Sequence, residues 1–255
     1  MVKGEKPVEI KILVANRVNQ EKLIAEHGIA FWIKYNKNYY IFDTGQKTAL
    51  FHNAHRLNIP LQSAAGVILS HPHFDHTGAL NQLLAINKKM AVYGHQKIED
   101  ELLNNSSSQE IINFNPITEP AEIAPGLWLT GRLPDKYLDK VKDHKYYEEA
   151  QFENSLFMET ENGLIVLTGC SHGGIVSILK YIDEISGKSI YGVAGGFHLV
   201  DKNQSELKEI TEELNKMNLK KIYPLHCTGF QGQRYLLDNC KADVEIAAAG
   251  NIIFN

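Results

Sequence analysis

Five short apolar runs in this chain each stop at a segment rich in Gly, His or Asp. Residues 39–42 run into Asp43-Thr44-Gly45, and residues 66–69 into His71-Pro72-His73-Phe74-Asp75-His76. Residues 164–167 run into Gly169-Cys170-Ser171-His172-Gly173-Gly174, and 191–194 into Gly195-Gly196-Phe197-His198. Residues 221–224 run into His226-Cys227-Thr228-Gly229. Apolar runs of this length, bounded by glycine, read as buried strands. Strand ends hold polar side chains more rigidly than loops do. The pattern therefore calls for a sheet fold with its polar groups gathered at one rim.

The surrounding pattern alternates strand and helix. Residues 8–15, 28–34 and 38–43 read as strands, the last two joined as a hairpin through Tyr35-Asn36-Lys37. Helical spacing follows at 47–57, then a strand at 65–69, a helix at 79–87, a strand at 90–93 and a helix at 96–103. The second half repeats the rhythm. Strands at 164–167, 189–194 and 221–224 alternate with helices at 175–185, around Leu207, Ile210, Leu214 and Met217, and at 230–239. Two similar α/β halves are expected, their mixed sheets packed together with helices outside, within one domain of residues 1–255. The irregular stretch 131–154 carries five cations (Arg132, Lys136, Lys140, Lys142, Lys145) against five anions (Asp135, Asp139, Asp143, Glu148, Glu149). Its aromatics Tyr137, Tyr146, Tyr147 and Phe152 suit either a substrate-covering loop or a solvated insertion.

Composition narrows the function classes. A net charge of -4 argues against a nucleic-acid footprint, which needs clustered Lys and Arg. No apolar run approaches the roughly 20 residues of a membrane span, and no signal-type segment opens the sequence. Cys170, Cys227 and Cys240 are an odd, irregularly spaced set, so a secreted disulfide scaffold is not expected. A reduced, cytoplasmic protein is.

Four potential metal ligands within six residues, His71, His73, Asp75 and His76, point to a metal site at the end of a strand. Asp43, His172, His198 and His226 stand at the other strand ends. His52, His55, His95 and His144 read as surface or packing residues, and His27 as structural or close to the site rim. Cys170 and Cys227 neighbour His172 and His226. In extended chain Cys170 would face the site and Cys227 would pack behind it.

This set resembles the metallo-β-lactamase superfamily, whose signature is His-x-His-x-Asp-His, a later His after a glycine-rich strand end and a last His near the C-terminus. The resemblance runs from Glu26-His27-Gly28 to His226 and implies the four-layer αββα sandwich. The wording of residues 168–174 and 195–199 is similar to one subgroup, the dihydropterin-linked (ribofuranosyl)aminobenzene phosphate synthases and dihydropteroate-synthase-like metal-dependent hydrolases. By resemblance, His71, His73 and His172 would hold one divalent ion and Asp75, His76 and His226 a second, with Asp43 fixing a ligand tautomer. Zinc is favoured, and manganese or iron suit the same ligands. In one respect the chain departs from the pattern. Gly195 or Gly196 stands where most relatives supply a bridging Asp, which puts double occupancy in doubt and throws attention on His198 as an extra ligand or acid/base group.

The expected activity is hydrolysis or pterin-linked synthesis on a small phosphorylated substrate. A bound dication lowers the pKa of water to about 7 and stabilises a departing anion. Asp75 and His198 are the candidate catalytic residues, and the glycine turns Gly173-Gly174 and Thr77-Gly78 could offer N–H groups to a phosphate. A non-catalytic sensor of the same fold remains an alternative. A di-iron oxidoreductase is disfavoured, because the redox relatives carry Glu where this chain has His73.

Overall fold

The computed structural model describes residues 8–105, 113–141 and 145–255. Lys142, Asp143 and His144 lie outside the described residues. The chain forms two compact units, Met1–Thr118 with Ala248–Asn255, and Glu119–Ala247.

The first unit contains β1 (Val8–Val14), β2 (Ala30–Tyr35), β3 (Asn38–Phe42), β4 (Gly66–Ile68), β5 (Ala91–Gly94) and β6 (Phe114–Pro116). Its helices are α1 (Ala49–Arg56), α2 (Phe74–Thr77), α3 (Leu80–Ile86) and α4 (Gln96–Asn105). The second unit contains β7 (Ala121–Ala124), β8 (Leu127–Leu129), β9 (Leu156–Thr160), β10 (Gly163–Thr168), β11 (Ile190–Gly196), β12 (Lys221–Leu225) and β13 (Asp243–Val244). With them go α5 (Asp135–Leu138), α6 (Tyr147–Ala150), α7 (Ile175–Ser186), α8 (Gln204–Lys216) and α9 (Gly229–Asn239). A last strand, β14 (Ile252–Ile253), returns to the first unit and pairs with β1.

The two sheets share one plan. The first runs β14-β1-β2-β3-β4-β5-β6 and the second β7-β8-β9-β10-β11-β12-β13. In each, three antiparallel pairs precede three parallel ones, the change falling at β3 and β10. Both sheets are therefore mixed, with helices between the parallel strands, as the expected α/β class requires.

Local chemistry explains the elements. In β10 every residue after Gly163 is buried, the near-continuous apolar run of a strand covered on both faces. Ile175, Ile178, Leu179 and Ile182 recur at helical spacing in α7 and are all buried. Each such side chain contributes about 1.5–3 kcal/mol relative to exposure. Gly187, left-handed at φ 61°, ends that helix. Asn203 and Glu206 form a capping box at the start of α8. At α1 the same task falls to Glu26, whose carboxylate accepts from the backbone N–H groups of Gln46, Lys47, Thr48 and Ala49. Among the described residues no helix is long and apolar enough to cross a membrane.

Candidate metal centre

In the first unit β3 and β4 deliver the groups. Asp43 follows β3 directly and leaves it in the left-handed region, φ 55°, a conformation Asp tolerates better than most residues. Its backbone N–H donates to Ile68 O at 2.8 Å, which holds the two strand ends together. After β4, Ser70 and His71 stay buried, and α2 makes one turn that carries Asp75 and His76.

Proton bookkeeping fixes two imidazoles. Asp43 Oδ1 accepts from Ser70 N–H at 2.8 Å. Its Oδ2 accepts from Ser70 Oγ at 2.7 Å and from His76 Nδ1–H at 2.6 Å. A carboxylate only accepts. With its own proton committed to Asp43, the Ser70 hydroxyl must accept from His71 Nδ1–H, 2.9 Å away. Both Nδ1 atoms thus carry the proton, and both Nε2 atoms present a lone pair. The rings stand together, with centroids 4.1 Å apart for His71 and His76 and 4.6 Å for His71 and His73. Asp75 Oδ2 lies 3.7 Å from His76 Nε2 and 3.4 Å from His27 Nε2. His27 is thus placed beside the cluster, while His52 bonds the Lys22 carbonyl at 2.9 Å and stays away from it.

Gly78 closes the cluster's turn. A Cβ there would meet Gln46 O at 2.0 Å and Phe74 O at 2.6 Å. Its N–H already donates to Gly45 O and Phe74 O, and Thr77 N–H to His73 O, so this turn has no such donors to offer a phosphate. Gly78→Ala forces backbone apart and is expected to cost about 1–3 kcal/mol, read as a lowered thermal midpoint. An unchanged midpoint would contradict the close packing.

In the second unit a buried carboxylate organises the turn after β10. Glu153 Oε1 accepts from the N–H groups of Cys170 and Ser171 at 2.7 and 2.6 Å, and Oε2 from that of His172 at 2.6 Å. His172 Nδ1 lies 3.3 Å from the same Oε2. Burial alone would raise the Glu153 pKa. The neighbouring His172 and the N–H groups of Ser171 and His172 outweigh that and bring it down to about 2. His198, following β11, and His226, following β12, are both left-handed, at φ 49° and 47°. The His172 and His198 rings lie 4.8 Å apart, and Tyr146 of the 131–154 segment packs against both, at 5.2 and 4.5 Å.

Cys227 does not simply pack behind His226. Residues His226–Thr228 form a 3-10 turn, where the alternation of extended chain does not hold. The Cys227 thiol is instead directed at Cys170 O, 3.5 Å away. Burial opposes its ionisation, yet the contacts with Cys170 and His198 and the charge of His226 hold its pKa well below the usual thiol range. Cys170, Cys227 and Cys240 are all thiols.

Beside His172 and His198 opens a cavity of about 410 Å³, lined also by Gly173, Gly174, Tyr137 and Ile210. Three lysines on its wall each have a carboxylate partner: Lys136 with Glu184, Lys180 with Glu213 and Lys202 with Glu206. The wall is mixed rather than cationic. Gly174 N–H is bonded to Ser171 O.

A family model described as the metallo-beta-lactamase superfamily matches residues 26–181. This chain belongs to that superfamily. It is 32% identical to the 7,8-dihydropterin-6-methyl-4-(beta-D-ribofuranosyl)-aminobenzene-5'-phosphate synthase of Methanocaldococcus jannaschii, over 90% of each protein. A second protein of that organism, of uncharacterized function, is 29% identical over 87% of this chain and 91% of its own length. Among solved structures, Tm1679, described as a metal-dependent hydrolase of the beta-lactamase superfamily, superposes with a TM-score of 0.81 at 25% identity, over 97% of this chain and 98% of that one.

Metallo-beta-lactamase proteins generally bind divalent metals, and the donors here fit one. Imidazole and carboxylate suit zinc, manganese or iron, and the Asp43–Ser70 network leaves the Nε2 lone pairs of His71 and His76 to present to an ion. Two residues that organise these turns, Ser70 and Glu153, escape a reading of the sequence. Ser70 had only its place beside the hexapeptide to mark it, and Glu153 had nothing.

Proposed function

We propose that this protein is a metal-dependent enzyme acting on a small, phosphorylated, pterin-linked substrate. The observation that carries the metal dependence is the Asp43–Ser70 network, which commits the His71 and His76 tautomers to presenting Nε2. Its proposed ligands are His71, His73, Asp75 and His76 in the first unit and His172 and His226 in the second, zinc being the preferred ion. When bound, such an ion supplies positive charge for a departing or attacking oxygen.

The chain's own residues orient and exclude. Asp75 positions the reacting group, and His198 exchanges a proton with the substrate. Tyr146 shields the His172–His198 pair from water. The cavity beside them has the size of a small-molecule site, within the roughly 300–1,000 Å³ usual for these.

Similarity to the archaeal synthase supports the synthase reading; in our reading of that reaction an arylamine displaces pyrophosphate from a pterin carrier. Similarity to Tm1679 supports a hydrolase as the second reading. Pyrophosphate release assayed with and without an arylamine separates them. Release that needs the amine is expected, and equal release without it would favour the hydrolase. His73→Ala is expected to hold less metal than the parent protein, read by elemental analysis. Full retention in that variant would overturn the ligand assignment, and tight substrate binding without turnover would leave a sensor.

A further inference from the structure

Where β10, β11 and β12 end, one donor atom each from Cys170, His198 and Cys227 lie within 4.8 Å of one another. We propose that these three residues form a thiolate–imidazole site for a thiophilic divalent cation, zinc in the first instance, sharing no ligand with the set assigned above. The Cys170 sulfur also stands within 4.8 Å of a His172 ring nitrogen. When this site is filled, His198 serves as a ligand and not as the proton-exchanging group. The inference goes beyond the proposed reaction and stands without it.

Donor chemistry is the first argument. Two sulfurs and one imidazole favour zinc over harder ions, which prefer oxygen. On a tetrahedral zinc, bonds of about 2.3 Å to sulfur and about 2.1 Å to nitrogen put neighbouring donors roughly 3.6–3.8 Å apart. The three groups need approach by no more than about 1 Å each to reach that spacing. Three protein donors leave a fourth position for solvent or substrate.

The glycines supply the second argument. A Cβ on Gly196 would meet Cys227 Sγ at 2.6 Å and Gly169 O at 2.5 Å. On Gly195 it would meet Thr168 O at 2.2 Å, with φ at 142°. No carboxylate side chain can start from either position without displacing sulfur or backbone. The end of β11 therefore offers no carboxylate there and packs against the sulfur of Cys227 instead.

The turns are also rigid. Gly196 N–H donates to Gly169 O, and Gly196 O accepts from the hydroxyls of Thr168 and Ser171 at 3.1 and 2.6 Å. Phe197 N–H donates to Thr228 Oγ1 at 3.1 Å. These bonds tie together the three turns that carry the donors. Ser171, His198 and His226 hold left-handed backbone there, at φ 62°, 49° and 47°. Strain of this kind costs of order 1–3 kcal/mol per residue and persists where the surroundings enforce it.

The test uses the full chain in a Cys240→Ser background, stripped of metal and titrated with cobalt(II). Thiolate coordination gives a near-ultraviolet sulfur-to-cobalt charge-transfer band. The band is expected with the parent protein and with His71→Ala, to fall by about half in Cys170→Ser and in Cys227→Ser, and to vanish in the double variant. Visible cobalt bands at saturation with no charge-transfer band in the parent protein would overturn the site. If a serine variant fails to fold, the parent protein still decides through its reactivity with a thiol reagent. Zinc is expected to protect both thiols and a chelator to expose them. Equal reactivity with and without zinc would overturn the proposal.

Discussion

Replacing Glu153 by alanine is expected to abolish stable folding of the second unit. The side chain is buried and accepts three backbone N–H groups in sequence, those of Cys170, Ser171 and His172. Alanine leaves all three buried donors unmatched, at about 1–3 kcal/mol each. That loss is a large share of the roughly 5–15 kcal/mol that stabilises a typical domain. Glu153→Gln should fall between, because one amide oxygen replaces two carboxylate oxygens and its NH2 faces a donor. Urea denaturation reads the order, and an alanine variant with the parent midpoint would refute it. The acid limb follows from linkage. The Glu153 pKa is depressed from 4.5 to about 2, so its contribution is full above about 4.5 and is lost as pH falls through about 2. The stability gap between parent and Glu153→Gln should close over that window.

Asp43→Asn is expected to weaken metal binding by about 10–100-fold while the fold survives. Asparagine tolerates the left-handed backbone at this position. Its amide, however, cannot accept from Ser70 N, Ser70 Oγ and His76 Nδ1 at once. An NH2 aimed at His76 Nδ1 draws the lone pair to that atom and moves the proton to Nε2, where the metal would bind. Ser70→Ala breaks only the arm to His71 and should weaken binding less. Competition with a chromophoric chelator measures both. Affinity within twofold of the parent in Asp43→Asn would remove the tautomer argument, whereas a purely structural role would shift the melting midpoint and leave affinity alone.

What could be read in the sequence was the part written in residue type. The five strand ends bearing Asp43, His71, His172, His198 and His226 are found in the structure, because apolar runs that stop at glycine and histidine leave few alternatives. The duplicated α/β rhythm was legible for the same reason. The buried stripe of α7 needed only its own spacing. Features that depend on distant partners were not legible. Glu153 sits in Phe152-Glu153-Asn154-Ser155, and nothing there announces three backbone donors 17 to 19 residues away. The β7–β8 hairpin turns at Pro125-Gly126, but strands of three and four residues with Glu122 and Trp128 among them show no clear period. The alternation rule misdirected Cys227, because β12 gives way to a 3-10 turn at His226. The Thr77-Gly78 turn looked like an anion cradle, yet its N–H groups serve the cluster's own backbone.

The pairing of β14 with β1 has a consequence for how the chain comes into being. Ile10 lies against Ile253 and Lys11 against Ile252, so the first strand waits for residues made some 240 positions later. While the ribosome works through the second unit, β1 stands with one flank of N–H and C=O groups unmatched. An exposed flank of that kind recruits other nascent chains. Lys11, whose neighbours in β1 are apolar, puts a charge on that flank during the wait. Ile252 and Ile253 therefore act as the latch of the first unit, which closes only once they have been made.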